Sequence, residues 1–566
     1  MAKRAREEST DVAESASKKL RSSTPDHLSA LSDELLLKVL SFLSVSNLVV
    51  CQRLSHKYQK LAGDGQLWKQ RYYDRFVRPR ASRLPGLKEL GSAHESLHFS
   101  SRTSRWLDDD HLVRHGGRTN WKRQYKLRHN WSSGSCAINE IPIAERQSIP
   151  PVLVQMSDGF VFMADKDDGL RAWTVNGRSR DHFAQIALPA ARIQSPPTSL
   201  AVDLDSIDAS TTRVLLGFED GSFSIYALSL ETRQFRLHCT HAPSSNGVIT
   251  STAICWPFIV TMTATQLLSL YFLDSSGLIA HSSNSQAKQQ EQNGSTRPPR
   301  LLHSLKSRTV WPPLSISLRA ASPTVTISIA YAMPTYLSGW TVGLQEVKVS
   351  TQGVLLGSRL ASAIDQHYRP LAFSSRPMLS HLNAGNSGAT AGPPSSEWRH
   401  IHAKPTSLSY THPYLLVSHP DNTLTLYLVT STADSLSISA GSRLWGHTSA
   451  VSGAHVAARG KAVSISRRGD ELRVWELEGG FATSSARKRL AGGDLSVKIK
   501  AGKDVRDPEL GSDVVHQDVA HTDDDSSDDV NELTLSRGWV GFNEENVVVL
   551  KEHRQGKQAL VVYDFT

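Results

Sequence analysis

His400 and His402 stand one residue apart, and His412 and His419 follow within the same stretch, a grouping that could ligate a transition metal. With 23 histidines in the chain such pairs arise by chance, and these read as loop residues, so no metal site is expected. Cys255 lies beside Trp256 in an apolar run and reads as a small core residue rather than a nucleophile. The sequence contains no Gly-x-x-x-x-Gly-Lys-Ser/Thr phosphate loop, no Gly-x-Gly-x-x-Gly turn, no Gly-x-Ser-x-Gly elbow and no His-Glu-x-x-His helix. No catalytic residue, metal or cofactor is therefore expected, and the chain reads as a binding protein rather than an enzyme. The side chains best suited to a ligand are basic. Arg467 and Arg468 adjoin in SISRRGDELRVW, and Lys166 holds a similar place in MADKDDGLRAW. Paired guanidinium groups can grip a phosphate bidentately, but a plain surface arginine pair is the simpler reading.

Such residues need a scaffold, and composition bounds it. The 566 residues would make three or four domains at ~150 residues each, unless one closed all-β ring absorbs most of them. The apolar fraction of 39% is globular. Four cysteines without a Cys-x-x-Cys exclude a disulfide scaffold and point to a reducing compartment. No apolar run approaches the ~18 residues of a membrane span, and MAKRAREESTD lacks the apolar segment of a secretory signal. No membrane partner is expected.

The net charge of +9 is local. Residues 69–128 hold 15 Lys/Arg against 6 Asp/Glu, so the rest of the chain sums to zero. Residues 504–529 hold 10 Asp/Glu and one Arg. The basic run could face nucleic acid, but a solvated helical face explains it better, and nucleic acid is not an expected partner. Residues 1–26 are polar and without periodicity, which predicts a disordered basic tail. Its clusters Lys3-Arg4-Ala5-Arg6 and Lys18-Lys19-Leu20-Arg21 have the separation of a bipartite nuclear-import signal, so nucleus and cytoplasm are the expected locations.

Residues 27–73 predict four short helices. Ser32 precedes Asp33 and Glu34, a helix N-terminus, and Leu35, Leu36, Val39, Leu40 and Leu43 recur on one face. Ser46 is the expected cap of the second helix. About 45 residues make a small core, and this segment carries more leucine than such a core can use, which predicts a partner surface. The stretch LSDELLLKVLSFLSVSNLVVCQRLSHKYQKLAGDGQLWKQRYY resembles an F-box, matching its pattern at Leu31, Glu34, Leu35, Leu36, Val39, Leu43, Leu48, Leu61, Leu67 and Trp68. It departs from that pattern where Ser32 replaces Pro, Leu54-Ser55 replaces Val-Cys and Tyr58 replaces Trp.

Residues 74–130 read as a helical linker, ending in Trp121, Tyr125 and Asn130-Trp131 like the basic spacer of F-box proteins with a C-terminal propeller. Residues 131–566 read as repeated short strands. Leu444-Trp445-Gly446-His447 leading to LRVWEL resembles a WD repeat, with Asp470 the residue expected to bond His447. Weaker copies end in DDGLRAW, EDGSFSIY, TQLLSLY and PDNTLTLY. Units near 150, 200, 250, 320, 405, 445 and 535 predict a seven-bladed propeller, with residues 136–141 as the outer strand of the last blade. Insertions are expected at 281–300, 374–399 and 486–529.

The fold class expected is thus multidomain: a small all-α F-box and helical linker, then an all-β propeller. The resemblance implies the substrate-recognition subunit of an SCF-type ubiquitin ligase. Its F-box would bind a Skp-family adaptor, and through it a cullin, with Leu31, Leu35, Leu36, Val39, Leu40, Leu43 and Leu48 as the adaptor-binding face. The propeller would hold a target protein, and through this resemblance alone Lys166, Arg467 and Arg468 are candidate target contacts. A scaffold that contacts the adaptor without delivering ubiquitin, and a nucleic-acid-associated propeller, are the competing readings.

Overall fold

The structure, a computed structural model, describes residues 28, 31–77, 119–157, 159–175, 181–189, 195–203, 210–273, 298–307, 310–321, 323–335, 339–363, 403–432, 435–457, 460–469, 471–477, 496–501, 535–552 and 556–566. The basic tail, most of the linker and most of the three insertions lie outside them. The chain divides into two units, residues 1–82 with 90–125 and residues 83–89 with 126–566.

The first unit is helical: α1 (Asp33–Leu40), α2 (Val45–Cys51), α3 (His56–Ala62) and α4 (Gly65–Tyr72), then a π-helical turn at Tyr73–Val77. The starts of α2, α3 and α4 are each set by a short polar side chain. Ser44, not Ser46, caps α2, its hydroxyl accepting from the Asn47 amide at 3.3 Å. Ser55 caps α3 through Tyr58 N, and Asp64 caps α4 through Gln66 N at 2.8 Å. Ser32 occupies the cap position of α1 but makes no side-chain cap bond. There Asp33 and Glu34 in the first turn and Lys38 in the last suit the helix dipole. Leu36, Leu40, Leu48, Leu61, Ala62 and Leu67 form the core. A second cluster joins Trp68, Tyr72 and Tyr125, and Trp68 Nε1 donates to Ala62 O at 2.8 Å.

Helix α5 (Trp121–Ser133) runs past the expected linker boundary at residue 130. Its Leu127 and Trp131 belong to the core of the second unit.

The described residues of that unit form thirty strands. β1 (Ser135–Ala144) comes first. Blade 1 is β2 (Leu153–Ser157), β3 (Phe160–Asp165), β4 (Gly169–Thr174) and β5 (His182–Ile186); blade 2 is β6 (Pro197–Val202), β7 (Thr211–Phe218), β8 (Phe223–Ser229) and β9 (Gln234–His241). Blade 3 is β10 (Ile249–Cys255), β11 (Phe258–Thr263), β12 (Leu267–Phe272) and β13 (Arg300–Lys306); blade 4 is β14 (Trp311–Ala321), β15 (Thr324–Thr335), β16 (Gly339–Ser350) and β17 (Leu355–Ser362). Blade 5 is β18 (Ser407–Thr411), β19 (Tyr414–Ser418) and β20 (Leu424–Ser431), with an outer strand in two pieces, β21 (Leu436–Ile438) and β22 (Ser442–Leu444). Blade 6 is β23 (Val451–Val456), β24 (Lys461–Ser466), β25 (Leu472–Glu476) and β26 (Ser496–Lys498). Blade 7 is β28 (Leu535–Phe542), β29 (Asn546–Glu552), β30 (Gln558–Asp564) and β1, with β27 (Lys500–Ala501) added in parallel outside β1.

The inner strands meet in the order β2, β6, β10, β14, β18, β23, β28 and back to β2, so seven blades close the ring. Closure removes most edges that would otherwise invite aggregation. It is made by β1 lying antiparallel on β30, with Ile138 opposite Tyr563 and Ile141 opposite Leu560, as expected of residues 136–141. Each apolar cluster fills the space between neighbouring blades: Phe162, Val214 and Phe218 between blades 1 and 2, Leu416, Leu426 and Trp475 between 5 and 6. β26 and β27 fall inside the expected insertion 486–529, which is therefore in part regular structure: it completes blade 6 and guards the edge of blade 7.

Candidate functional site

In the first unit the seven leucine-rich positions separate by the turn of the helix. Leu36 and Leu40 face inward and are fully buried, as is Leu48. All three are core residues of the helical unit, and Leu36 and Leu40 also line the cleft described below. Leu43 is partly buried and packs against them. Leu31, Leu35 and Val39 remain exposed, Leu35 at 55% and Val39 at 47%. The structure extends their row at both ends with Leu28 and with Phe42, which is 77% exposed beneath the Lys38 ammonium. Leu35 and Val39 lie one turn apart on the same face of α1, with Leu28 and Leu31 before the helix and Phe42 just after it. Val49, Val50 and Leu54 add exposed apolar surface from α2 and the turn after it.

A cleft of about 410 Å³ opens between α1 and the α2–α3 corner, lined by Leu28, Leu36, Val39, Leu40, Leu43, Cys51, Leu54, Ser55 and Tyr58. Its shape is fixed by polar bonds at its back. Lys57 Nζ donates to Leu31 O at 3.1 Å and pairs with Asp33 at 3.4 Å. Arg71 donates to the carbonyls of Ser41, at 2.6 Å, and Leu43, tying α4 to the end of α1. A rigid apolar cleft beside an apolar stripe can take a partner's apolar side chain and helix face without reorganising.

In the propeller, Lys166 lies in the turn between β3 and β4, and Arg467 and Arg468 lie in the turn between β24 and β25. In every blade the second and third strands join at the same end of the ring, so all three sit on one rim. Blade 7 stands between blades 6 and 1, however, so the structure does not bring Lys166 together with the arginine pair.

The WD-like unit is built as its residue types suggest. Trp475 Nε1 donates to Ser464 Oγ at 2.7 Å, and that hydroxyl lies 2.6 Å from His447 Nε2. The other ring nitrogen faces Glu471 Oε2 at 3.5 Å. Glu471 is thus an acid opposite His447, and Asp470 lies outside the described residues. Burial opposes the Glu471 charge, but the Thr448 amide and hydroxyl and the Arg473 guanidinium outweigh it and hold the carboxyl down at about 2. Blade 1 has an equivalent in Arg171, which pairs with the buried Asp165 and with Asp168.

His412 and His419 do not converge on a metal. His419 is buried, with Nε2 2.8 Å from Thr425 Oγ1, and His412 Nδ1 lies 3.4 Å from Tyr410 OH. Among the described residues no three His, Cys, Asp or Glu side chains gather to hold a metal, and no helix is long and apolar enough to cross a membrane. His400 and His402 lie outside the described residues. Cys255 is buried at the end of β10.

Comparison with known families decides what these surfaces belong to. The family described as "F-box protein pof12 beta-propeller" matches residues 136–566. The chain belongs to this family. An F-box-like domain matches residues 30–74, the four-helix segment. None of the curated proteins compared with the chain matches it. Among solved structures it is similar to the WD40 β-propeller domain of Doa1 (10% identity, covering 75% of this chain and 95% of that one, TM-score 0.34). It is similar also to U3-55K (9%, 76% and 98%, TM-score 0.38) and to Sqt1 of Saccharomyces cerevisiae (8%, 75% and 97%, TM-score 0.36). An F-box-like domain followed by the β-propeller of an F-box protein family suggests a substrate receptor. Both domains are typical of non-catalytic adaptor and receptor proteins, and F-box domains generally bind Skp-type adaptors.

Proposed function

We propose that this chain is the substrate-recognition subunit of an SCF-type E3 ubiquitin ligase. The exposed face of α1 docks a Skp-family adaptor, which links the chain to a cullin, and the propeller holds the target protein. The observation that carries this reading is the exposed apolar row Leu28, Leu31, Leu35, Val39 and Phe42, backed by a sealed core. A small helical unit that leaves this much aliphatic surface in water is suited to burying it against another protein, and each such side chain contributes about 1.5–3 kcal/mol when fully covered.

The chain performs no bond chemistry in this role. It raises the effective concentration of a target lysine beside a ubiquitin-charged enzyme, which is an entropic contribution. Its two short basic clusters near the N-terminus support nuclear import, with action in nucleus and cytoplasm. The test is co-purification: Leu35→Asp with Val39→Asp places two charges on the exposed row without entering the core. Adaptor and cullin co-purify with the wild-type chain and are lost with the double variant, while the propeller keeps its melting transition. Retention of both by the double variant would overturn the reading, and stable adaptor binding without cullin or target turnover would favour the scaffold reading instead.

A further inference from the structure

One rim of the propeller carries a group of aromatic and basic side chains that neither blade packing nor ring closure uses. Trp311 opens β14 and Trp340 stands at the start of β16, on neighbouring ladders of blade 4: Trp311 opposes Ala332, and Trp340 opposes Pro334. Lys404 precedes β18 of blade 5, its ammonium 5.3 Å from the Trp340 ring centre. Trp445 lies in the connection between blades 5 and 6, with the Arg443 guanidinium 5.1 Å from its ring centre. Inner strands begin, and third strands begin, at the same end of the ring, so these side chains share the rim that carries Arg467 and Arg468 on blade 6.

Among the described tryptophans only Trp311 and Trp445 are exposed, at 44% and 47%. Large exposed indoles beside arginine are the residue types that dominate interface energetics, because they bury much apolar area at little entropic cost. The charge is one-sided. The described acids in this sector are both paired: Asp421 accepts from Thr423 N at 2.8 Å and Thr423 Oγ1 at 2.6 Å and pairs with Arg443, and the buried Glu471 accepts from Thr448 and pairs with Arg473. Each pair is neutral as a unit, which leaves Lys404, Arg467 and Arg468 to set a positive field. The Arg443 guanidinium is engaged with Asp421 and Thr423 and does not form an outward fork, so the sector offers a diffuse positive field over flat apolar rings.

We propose that this blade 4–6 rim is a binding site for an acidic peptide carrying an apolar anchor residue. The anchor packs on Trp445, in the connection whose Ala450 O accepts from Arg467 N at 2.7 Å, and the flanking carboxylates lie in the field of Arg467 and Arg468 and reach along the rim toward Trp311 and Lys404. The inference names the class of target segment for the receptor read above and rests on that reading for its biological role.

The test uses the full chain and a short fluorescein-labelled peptide of glutamates flanking a Leu-Phe pair, read by fluorescence anisotropy. Companion peptides replace the glutamates with glutamines, the Leu-Phe pair with Gly-Gly, or the glutamates with phosphoserines. Expected is binding of the first peptide, weakened about tenfold or more by loss of either charge or anchor and by Trp445→Ala, with Trp445→Phe retaining most of it. Lys404→Glu weakens it further at low salt than at high salt. Equal binding by a Trp311→Ala/Trp445→Ala chain with an unchanged melting curve overturns the proposal. So does the absence of binding by every peptide, or a preference for the phosphoserine peptide that depends on Arg467 and Arg468 but not on the tryptophans. Adaptor co-purification on the same preparations separates the two readings. Adaptor retained with no peptide binding removes only this site, whereas peptide binding with no adaptor removes only the ligase assignment.

Discussion

Trp131 stacks on Phe565 with ring centroids 3.9 Å apart and planes 11° apart. The last turn of α5 thus meets the segment just after β30, and Asn130 Nδ2 fastens the same place by donating to Phe565 O at 2.8 Å. Trp131 Nε1 donates to Glu544 O at 2.9 Å, and the Lys461 ammonium lies 4.0 Å from its ring centre. One indole therefore joins blade 7, whose outer strand comes from the start of the propeller sequence, to blade 6. Trp131→Ala is expected to lower propeller stability by about 3–5 kcal/mol, the usual cost of emptying a large aromatic site. Chemical denaturation followed by tryptophan fluorescence checks this. A loss below about 1 kcal/mol would show that β1 alone closes the ring.

Adjacent leucines in α1 are expected to respond in opposite ways. Leu36 is sealed inside the helical core, so Leu36→Ala should cost about 2–5 kcal/mol and melt the four helices. Leu35 stands in water, so Leu35→Ala should move stability by no more than about 0.5 kcal/mol. Far-ultraviolet circular dichroism across a denaturant series distinguishes them. Equal destabilisation by the two would contradict the inward and outward assignment.

That contrast also shows where sequence patterning stops. Apolar residues occupy positions 35, 36, 37, 39 and 40, an arc of about 200° around α1 and wider than one face, so spacing could not say which row faces the core. Phe42 was hidden for a different reason, since it lies two residues beyond the helix and continues its outer row only because the chain turns there. The blades were more legible. Runs such as Val214-Leu215-Leu216 and Val547-Val548-Val549 are buried on both faces between neighbouring blades, so they stand out as continuous apolar strands with turn residues at each end. Outer strands touch less and can be polar, which is why β26 was concealed in an insertion. Residue types alone offered Asp470 to His447, and the structure shows Glu471 facing that ring.

Ser464 links the two groups that define the WD-like blade. Its hydroxyl accepts from Trp475 Nε1 and can donate its own proton to His447 Nε2. Ser464→Ala leaves the buried indole N–H without its acceptor, for about 1–3 kcal/mol of stability. Ser464→Thr should restore most of it, because the hydroxyl returns at the price of one methyl group. The melting temperatures of the two variants decide: if Ala and Thr behave alike, packing rather than the hydroxyl link holds this blade.

Acid should weaken the propeller in two separate windows. Burial, with help from Arg443 and against Asp421, lowers His419 from 6.5 to about 4, and burial alone lowers His455 likewise to about 4. Between those values the unfolded chain binds protons on these histidines while the folded chain does not. Stability therefore falls as pH drops from about 6.5 to about 4, by roughly 1.4 kcal/mol per pH unit for each histidine. Glu471 acts lower down. Its carboxyl is held near 2 against an ordinary 4.5, so its contribution is present above about 4.5 and is lost as pH falls toward 2. His455 packs edge-on to Phe542 with ring centroids 5.5 Å apart, so His455→Leu keeps an apolar side chain there and removes one titrating group. The variant should show a shallower loss of stability between pH 6.5 and 4 and an unaltered loss below about 4. Denaturation midpoints measured across that range would reveal the change in slope, and an unchanged slope in the upper window would mean that His455 takes up its proton in the folded protein as readily as in the unfolded one.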